Sequence, residues 1–108
     1  MAFIEYEDFK KVVMKTGKII EAEEVPESKK LIKMKVDMGD EIRTLVGGLK
    51  GSYSPEELIG KVVIVVANLK PKKLMGIESQ GMLLAVEDEN GIHLLTPDKE
   101  TKPGLRVW

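Results

Sequence analysis

The stretch that decides the fold class is "LIKMKVDMGDEIRTLVGG", Leu31 to Gly48. In its first half Ile32, Met34, Val36 and Met38 alternate with Leu31, Lys33, Lys35 and Asp37. That period of two puts one set on the covered face of a β-strand and the other on its open face. Gly39 and Asp40 supply a turn and the chain returns through "EIRTLVGG". The two halves make a hairpin, with Lys35 and Arg43 expected close together on its outer face.

Outward from this hairpin the punctuation is regular. "SPEELIG" carries Ser54 as N-cap, Pro55 at the first helical position, Glu57 three residues after the cap and Gly60 as the stop, which makes one short helix. "VVIVVA", Val62 to Ala67, is a buried strand, followed by "GMLLAVED", a turn at Glu89 to Gly91 and "IHLLTP". On the N-terminal side "MKTGKIIEAEEV" is a strand in which Gly17 is expected to mark a bulge or bend. "YEDFKKVV" before it suits a brief helix with Phe9, Val12 and Val13 on one face. Five or six short strands, with a helix between the third and fourth and another near the N-terminus, give an all-β Greek-key barrel in the order of the OB fold. An SH3-like barrel and a small open sheet share much of this pattern.

At 108 residues the chain is of single-domain length, so residues 1–108 are read as one domain. It is 43% hydrophobic and 32% charged, a globular composition. No apolar run nears the roughly 20 residues of a membrane span, and "MAFIEYEDFKK" is too acidic for a signal peptide, so a cytoplasmic location without membrane contact is expected. Zero Cys and a single His, His93, argue against disulfides, zinc and cysteine nucleophiles; no metal or other cofactor is expected. Ser79 has no base to activate it, and the carboxylates of "EAEE" and "EDEN" suit exposed edges and turns, so no catalytic set is found and the chain is not read as an enzyme.

The net charge of −1 conceals a partition. Residues 1–28 hold four Lys against seven acids, −3; residues 29–75 hold nine Lys and Arg43 against five acids, +5; residues 76–108 hold two Lys and Arg106 against six acids, −3. A basic middle on a near-neutral chain suits a polyanion held at one face, although a solvated lysine face has the same charge pattern. The basic part continues into "NLKPKKLMGIESQGMLL", Asn68 to Leu84, a segment a rigid strand delivers to the surface. Met75 and Met82, taken singly, suit core filling, and Asn68 suits a cap on the strand end. Taken together, Lys70, Lys72 and Lys73 stand beside Asn68, Ser79 and Met82, and the hairpin region adds Lys30, Lys33, Lys35 and Arg43. Cations would hold phosphates, Asn and Ser would hydrogen-bond a base or a 2′-OH, and Met would pack on a base face. Aromatics are few, and none of Phe3, Tyr6, Phe9, Tyr53 or Trp108 lies among the basic strands, which favours folded RNA read by shape over serial stacking of single strands.

The signatures "ESKKL", "SPEELIGK", "VANLKP" and "MGIESQGM" together resemble the tRNA-binding domain of methionyl-tRNA synthetase beta subunits, of the free-standing structure-specific tRNA-binding protein, and of the endothelial monocyte-activating polypeptide family. The likeness runs from about Glu7 to Val107. It implies an OB fold that binds tRNA at its outer corner without catalysis, with or without a methionyl-tRNA synthetase catalytic chain as partner. By motif it implies roles for Lys30, Asn68, Ser79 and Met82, and basic positions at Arg43, Lys70 and Lys73. It also implies a homodimer, for which Phe3, Ile4, Tyr6, Leu105, Val107 and Trp108 are the apolar end groups to bury. The chain departs from the family at Gly47-Gly48, where relatives commonly have Ala-Gly. Some relatives are described as dimeric export chaperones that bind unfolded peptide on the same fold, and a plain dimerisation domain is a third possibility.

Overall fold

The computed structural model describes all residues, 1–108. A short helix α1 (Tyr6–Lys10) precedes three strands, β1 (Met14–Glu24), β2 (Ile32–Asp37) and β3 (Ile42–Gly47); the one-turn helix α2 (Pro55–Leu58) follows, then β4 (Val62–Val66). Six shorter strands complete the chain: β5 (Lys72–Leu74), β6 (Ile77–Ser79), β7 (Met82–Leu83), β8 (Ala85–Asp88), β9 (Gly91–Leu94) and β10 (Arg106–Val107). The main sheet runs β3-β2-β1-β4-β7, all neighbours antiparallel, with β10 also pairing β1. Three consecutive strands with the fourth returning beside the first is the Greek key, and the fold is an all-β OB barrel.

The alternation in β2 is observed as expected: Ile32, Met34, Val36 and Met38 are buried, and with Ile19, Leu45, Leu49, Leu58, Val63 and Val65 they form the core. Leu58 is the apolar side of α2 and plugs the barrel; the helix is started by the expected capping box, in which Ser54 N–H donates to Glu57 Oε1 at 2.9 Å and Glu57 N–H to Ser54 Oγ at 3.3 Å. The curled sheet closes between β3 and β7 through a segment the sequence did not single out for this purpose. Gln80 N–H donates to Thr44 O, the Gln80 side chain accepts from Thr44 N–H, and Ser79 Oγ accepts from Val46 N–H.

Four local expectations are corrected. Gly17 is not the bulge: the register of β1 against β2 shifts between Ile19 and Glu21, while Gly17 is buried where a Cβ would lie 2.6 Å from Val36 Cγ1. It is a glycine because the barrel has no room for a side chain there. Second, α1 ends at Lys10 and buries no residue, so Phe9, Val12 and Val13 form no shared core face. Third, "GMLLAVED" is broken at Leu84 into β7 and β8: Leu84 N–H still donates to Ile64 O of β4, while its carbonyl accepts from Leu95 N–H beyond β9. Finally, Lys35 and Arg43 lie on opposite faces, because Arg43 is the strand partner of buried Val36 and Lys35 that of Thr44.

Candidate nucleic-acid interface

Residues 68–81, read from sequence as a loop, contain a two-residue hairpin. β5 and β6 pair through Leu74 and Ile77, leaving only Met75 and Gly76 as the turn. The hairpin belongs to no other sheet, and its root is pinned at both ends. At the entry Ala67 N–H donates to Val13 O, Asn68 Oδ1 accepts from Val13 N–H at 2.9 Å, and Asn68 Nδ2 donates to Lys11 O at 2.6 Å. At the exit Ser79, only 6% exposed, accepts from Val46 N–H at 3.0 Å and donates to Gly81 O at 3.2 Å. Arg43 joins the two ends: one guanidinium nitrogen donates to Ala67 O and Gln80 O, the other to Glu41 Oε2 at 3.1 Å.

The ten residues singled out by sequence therefore divide. The polar groups of Asn68, Ser79 and Arg43 are engaged within the protein and fix the base of the hairpin. The signal for Arg43 was present in the sequence, because it stands two residues before core Leu45 and so shares its inner face. Lys33 is paired with Glu23 at 3.6 Å and Lys35 donates to Thr44 Oγ1 at 2.9 Å, so both side chains are engaged on the outer face of β1–β3 and not at the hairpin. Lys30, Lys70, Lys72 and Lys73 are exposed and have no carboxylate within ion-pair distance, in contrast to Lys50, which pairs with Glu24 at 3.7 Å. Met82 is 48% exposed and Met75 56%, so neither fills the core.

Next to the free lysines lies an open cleft of about 700 Å³. Lys70 and Lys72 stand on its rim, and most of its surface is apolar, from Leu49, Leu69, Leu74, Met82, Ile92 and Leu94 among others. Sequence reasoning did not find it, because β3, the hairpin, β7 and β9 contribute residues that only the barrel brings together. Free cations beside an apolar recess suit a ligand with anionic groups and flat, poorly hydrated faces, which is the chemistry of a nucleic acid with exposed bases.

No helix is long and apolar enough to cross a membrane, and no cluster of three or more His, Cys or acidic residues is placed to hold a metal ion. Asp88, at the exposed end of β8, is held below the ordinary carboxylate value, chiefly by the hydrogen bond from His93 at 2.9 Å.

An OB barrel that displays a basic hairpin beside an apolar recess defines a binding module of the nucleic-acid class. Comparison with known proteins makes this particular. Residues 14–106 match the family model described as "Putative tRNA binding domain", and the chain belongs to that family. It is 56% identical over 107 residues to the methionine–tRNA ligase of Pyrococcus horikoshii, a match covering 99% of this chain and 15% of the ligase. The chain thus spans about one-seventh of the length of such relatives. Among solved structures, a MetRS-related protein from Pyrococcus horikoshii superposes with a TM-score of 0.92 at 47% identity over all of both chains. The CsaA chaperone protein of Picrophilus torridus superposes at 0.91 with 31% identity, covering 98% of this chain and 100% of that one. The aligned part of the ligases is their tRNA-binding domain, so the resemblance in the sequence motifs and the OB fold is confirmed at the level of family.

Proposed function

We propose that this chain binds folded tRNA without catalysing a reaction on it, as a methionyl-tRNA synthetase beta subunit or a free-standing module that acts in trans, in the cytoplasm. The observation that carries this reading is the set of unpaired Lys70, Lys72 and Lys73 on a hairpin that walls an apolar cleft. Lys70, Lys72, Lys73 and Lys30 take phosphates, and Met82 contacts a base or sugar face at the cleft. Asn68, Ser79 and Arg43 serve as positioning residues that hold the hairpin, and Lys33 and Lys35, set opposite Glu23 and Glu21 of β1, take no direct part at it. Exposed cations of this kind release counterions from RNA, so contact with about four phosphates should give a log-log salt slope of roughly −3 to −4.

The test is a salt titration of binding to an unmodified tRNA transcript, to an unstructured RNA of equal length and to an unfolded polypeptide. Lys70→Ala or Lys73→Ala should weaken all RNA binding and lower the salt slope by about one unit. A slope near zero for tRNA would overturn the proposal. The apolar lining of the cleft, together with the CsaA likeness, favours one second reading, a peptide-binding chaperone. That reading expects tight, nearly salt-insensitive binding of the polypeptide arm and indifference to both lysine substitutions.

A further inference from the structure

The turn of the hairpin is occupied by the wrong residue for its geometry. Met75 and Gly76 have φ of 51° and 79°, and two successive left-handed residues make the type I′ turn. That turn favours Asn, Asp or Gly first, because a larger side chain brings Cβ against the following carbonyl. Met75 is the one residue other than glycine in this chain with positive φ. Its side chain gains little packing in return, being 56% exposed. An unfavourable backbone and an unfavourable exposure thus coincide at one position, and nothing in the barrel accounts for either.

Its surroundings do. Lys72 and Lys73 stand immediately behind it, both exposed and in no ion pair, with Glu78 the strand partner of Lys73, and the same hairpin walls the apolar cleft through Lys72, Leu74 and Ser79. The hairpin root is fixed to β3 by Ser79 and Gln80, so the tip is presented on a rigid support. An unbranched, polarisable side chain at a protruding tip, with cations behind it and an apolar recess at its foot, has the parts of a wedge that enters a base step.

We propose, resting on the RNA-binding reading above, that Met75 inserts into a weakly stacked base step of a folded RNA. The cleft then receives the displaced base while Lys72 and Lys73 hold the flanking phosphates. Unstacking costs least where a step is already poorly stacked, at loops and corners, and most in continuous duplex. The wedge therefore selects RNA by deformability, with no hydrogen bond to a base edge required.

The test uses the full chain and tRNA transcripts in which 2-aminopurine, whose fluorescence rises when it leaves a stack, replaces each unpaired loop position in turn. Wild-type protein should brighten the probe at one position or two adjacent ones. Met75→Asn, which suits the turn, should raise the melting temperature, abolish the brightening and weaken tRNA binding about tenfold. Its salt slope and its affinity for a fully paired RNA duplex should be unchanged. Met75→Leu should keep most of the brightening. Wild-type binding with its full salt slope but without brightening anywhere, or a Met75→Asn variant that binds and brightens like wild type, would overturn the wedge and leave the RNA-binding reading standing. Absence of wild-type binding to any transcript would overturn both.

Discussion

Asn68 ties down a segment 55 and 57 positions away in sequence, and by doing so it decides how the hairpin that follows it leaves the barrel. Both halves of its amide are used, one as acceptor from Val13 and one as donor to Lys11, so the residue reads as ligand-binding from sequence and as scaffold from structure. Polar side chains in a binding motif look alike on the page whichever role they have, because a hydrogen-bond partner far along the chain leaves no local trace. Glycines are ambiguous in the same way. Gly17 was legible as special but not why: an added Cβ would sit 2.6 Å from Val36 and 3.0 Å from the Met38 sulfur, so Gly17→Ala should destabilise the barrel by about 1 to 3 kcal/mol through overpacking. At Gly47 φ is not positive and an added Cβ would find Leu49 and Met34 at an ordinary 3.6 Å. Gly47→Ala should therefore stabilise by roughly 0.4 to 1 kcal/mol by restricting the unfolded chain. Denaturant unfolding of the two variants checks both signs.

Among elements, those with a strong local signal were legible and those stabilised by distant partners were not. β2 declared itself by clean alternation, and α2 by its cap, proline and stop. The β5–β6 hairpin did not, since its turn is Met75-Gly76 where Asn-Gly is the usual mark, and its strands are only three residues each. The cleft was illegible for a related reason, being assembled from six strands, β3 and β5 to β9. The cap of α2 carries its own pH dependence. The Glu57 carboxyl is held below its ordinary value of 4.5, first by the Ser54 main-chain N–H and then by its hydroxyl. A lowered folded-state value means a contribution that is complete above about pH 4.5 and lost as pH falls through the lower, folded value. Glu57→Ala should consequently be less stable than wild type at neutral pH, with the gap closing on the acid side; thermal melts from pH 7 to pH 2 would show it. A gap that stays constant would assign the effect to helix propensity alone.

For the whole molecule, the most exposed large apolar groups stand at the chain ends, with Phe3 at 92% and Trp108 at 98% exposure, joined by Ile4 and Tyr6. We propose that these end groups bury one another in a homodimer, which would put two hairpins on one assembly and raise the effective concentration for a single large RNA. Light scattering should report a dimer for the chain and a monomer for a Phe3→Ser/Trp108→Ser double variant with little change in melting temperature. Equal masses for the two would remove the ends as the interface.

Both ends of the barrel strand set meet at the start of β1, where Met14 has Val66 on one side and Val107 on the other, and Thr16 holds the C-terminal segment through Lys102 O and Leu105 N–H. The chain thus enters and leaves the barrel at adjacent points. A unit with that geometry behaves as a cassette: it can be spliced into a surface loop of a host protein, or have its ends joined by a short linker and be reopened at the exposed Glu89–Asn90 turn, without rerouting any strand. The hairpin and cleft are built from the middle and later strands and travel with the cassette when Lys11 and Val13, which hold Asn68, are kept in it.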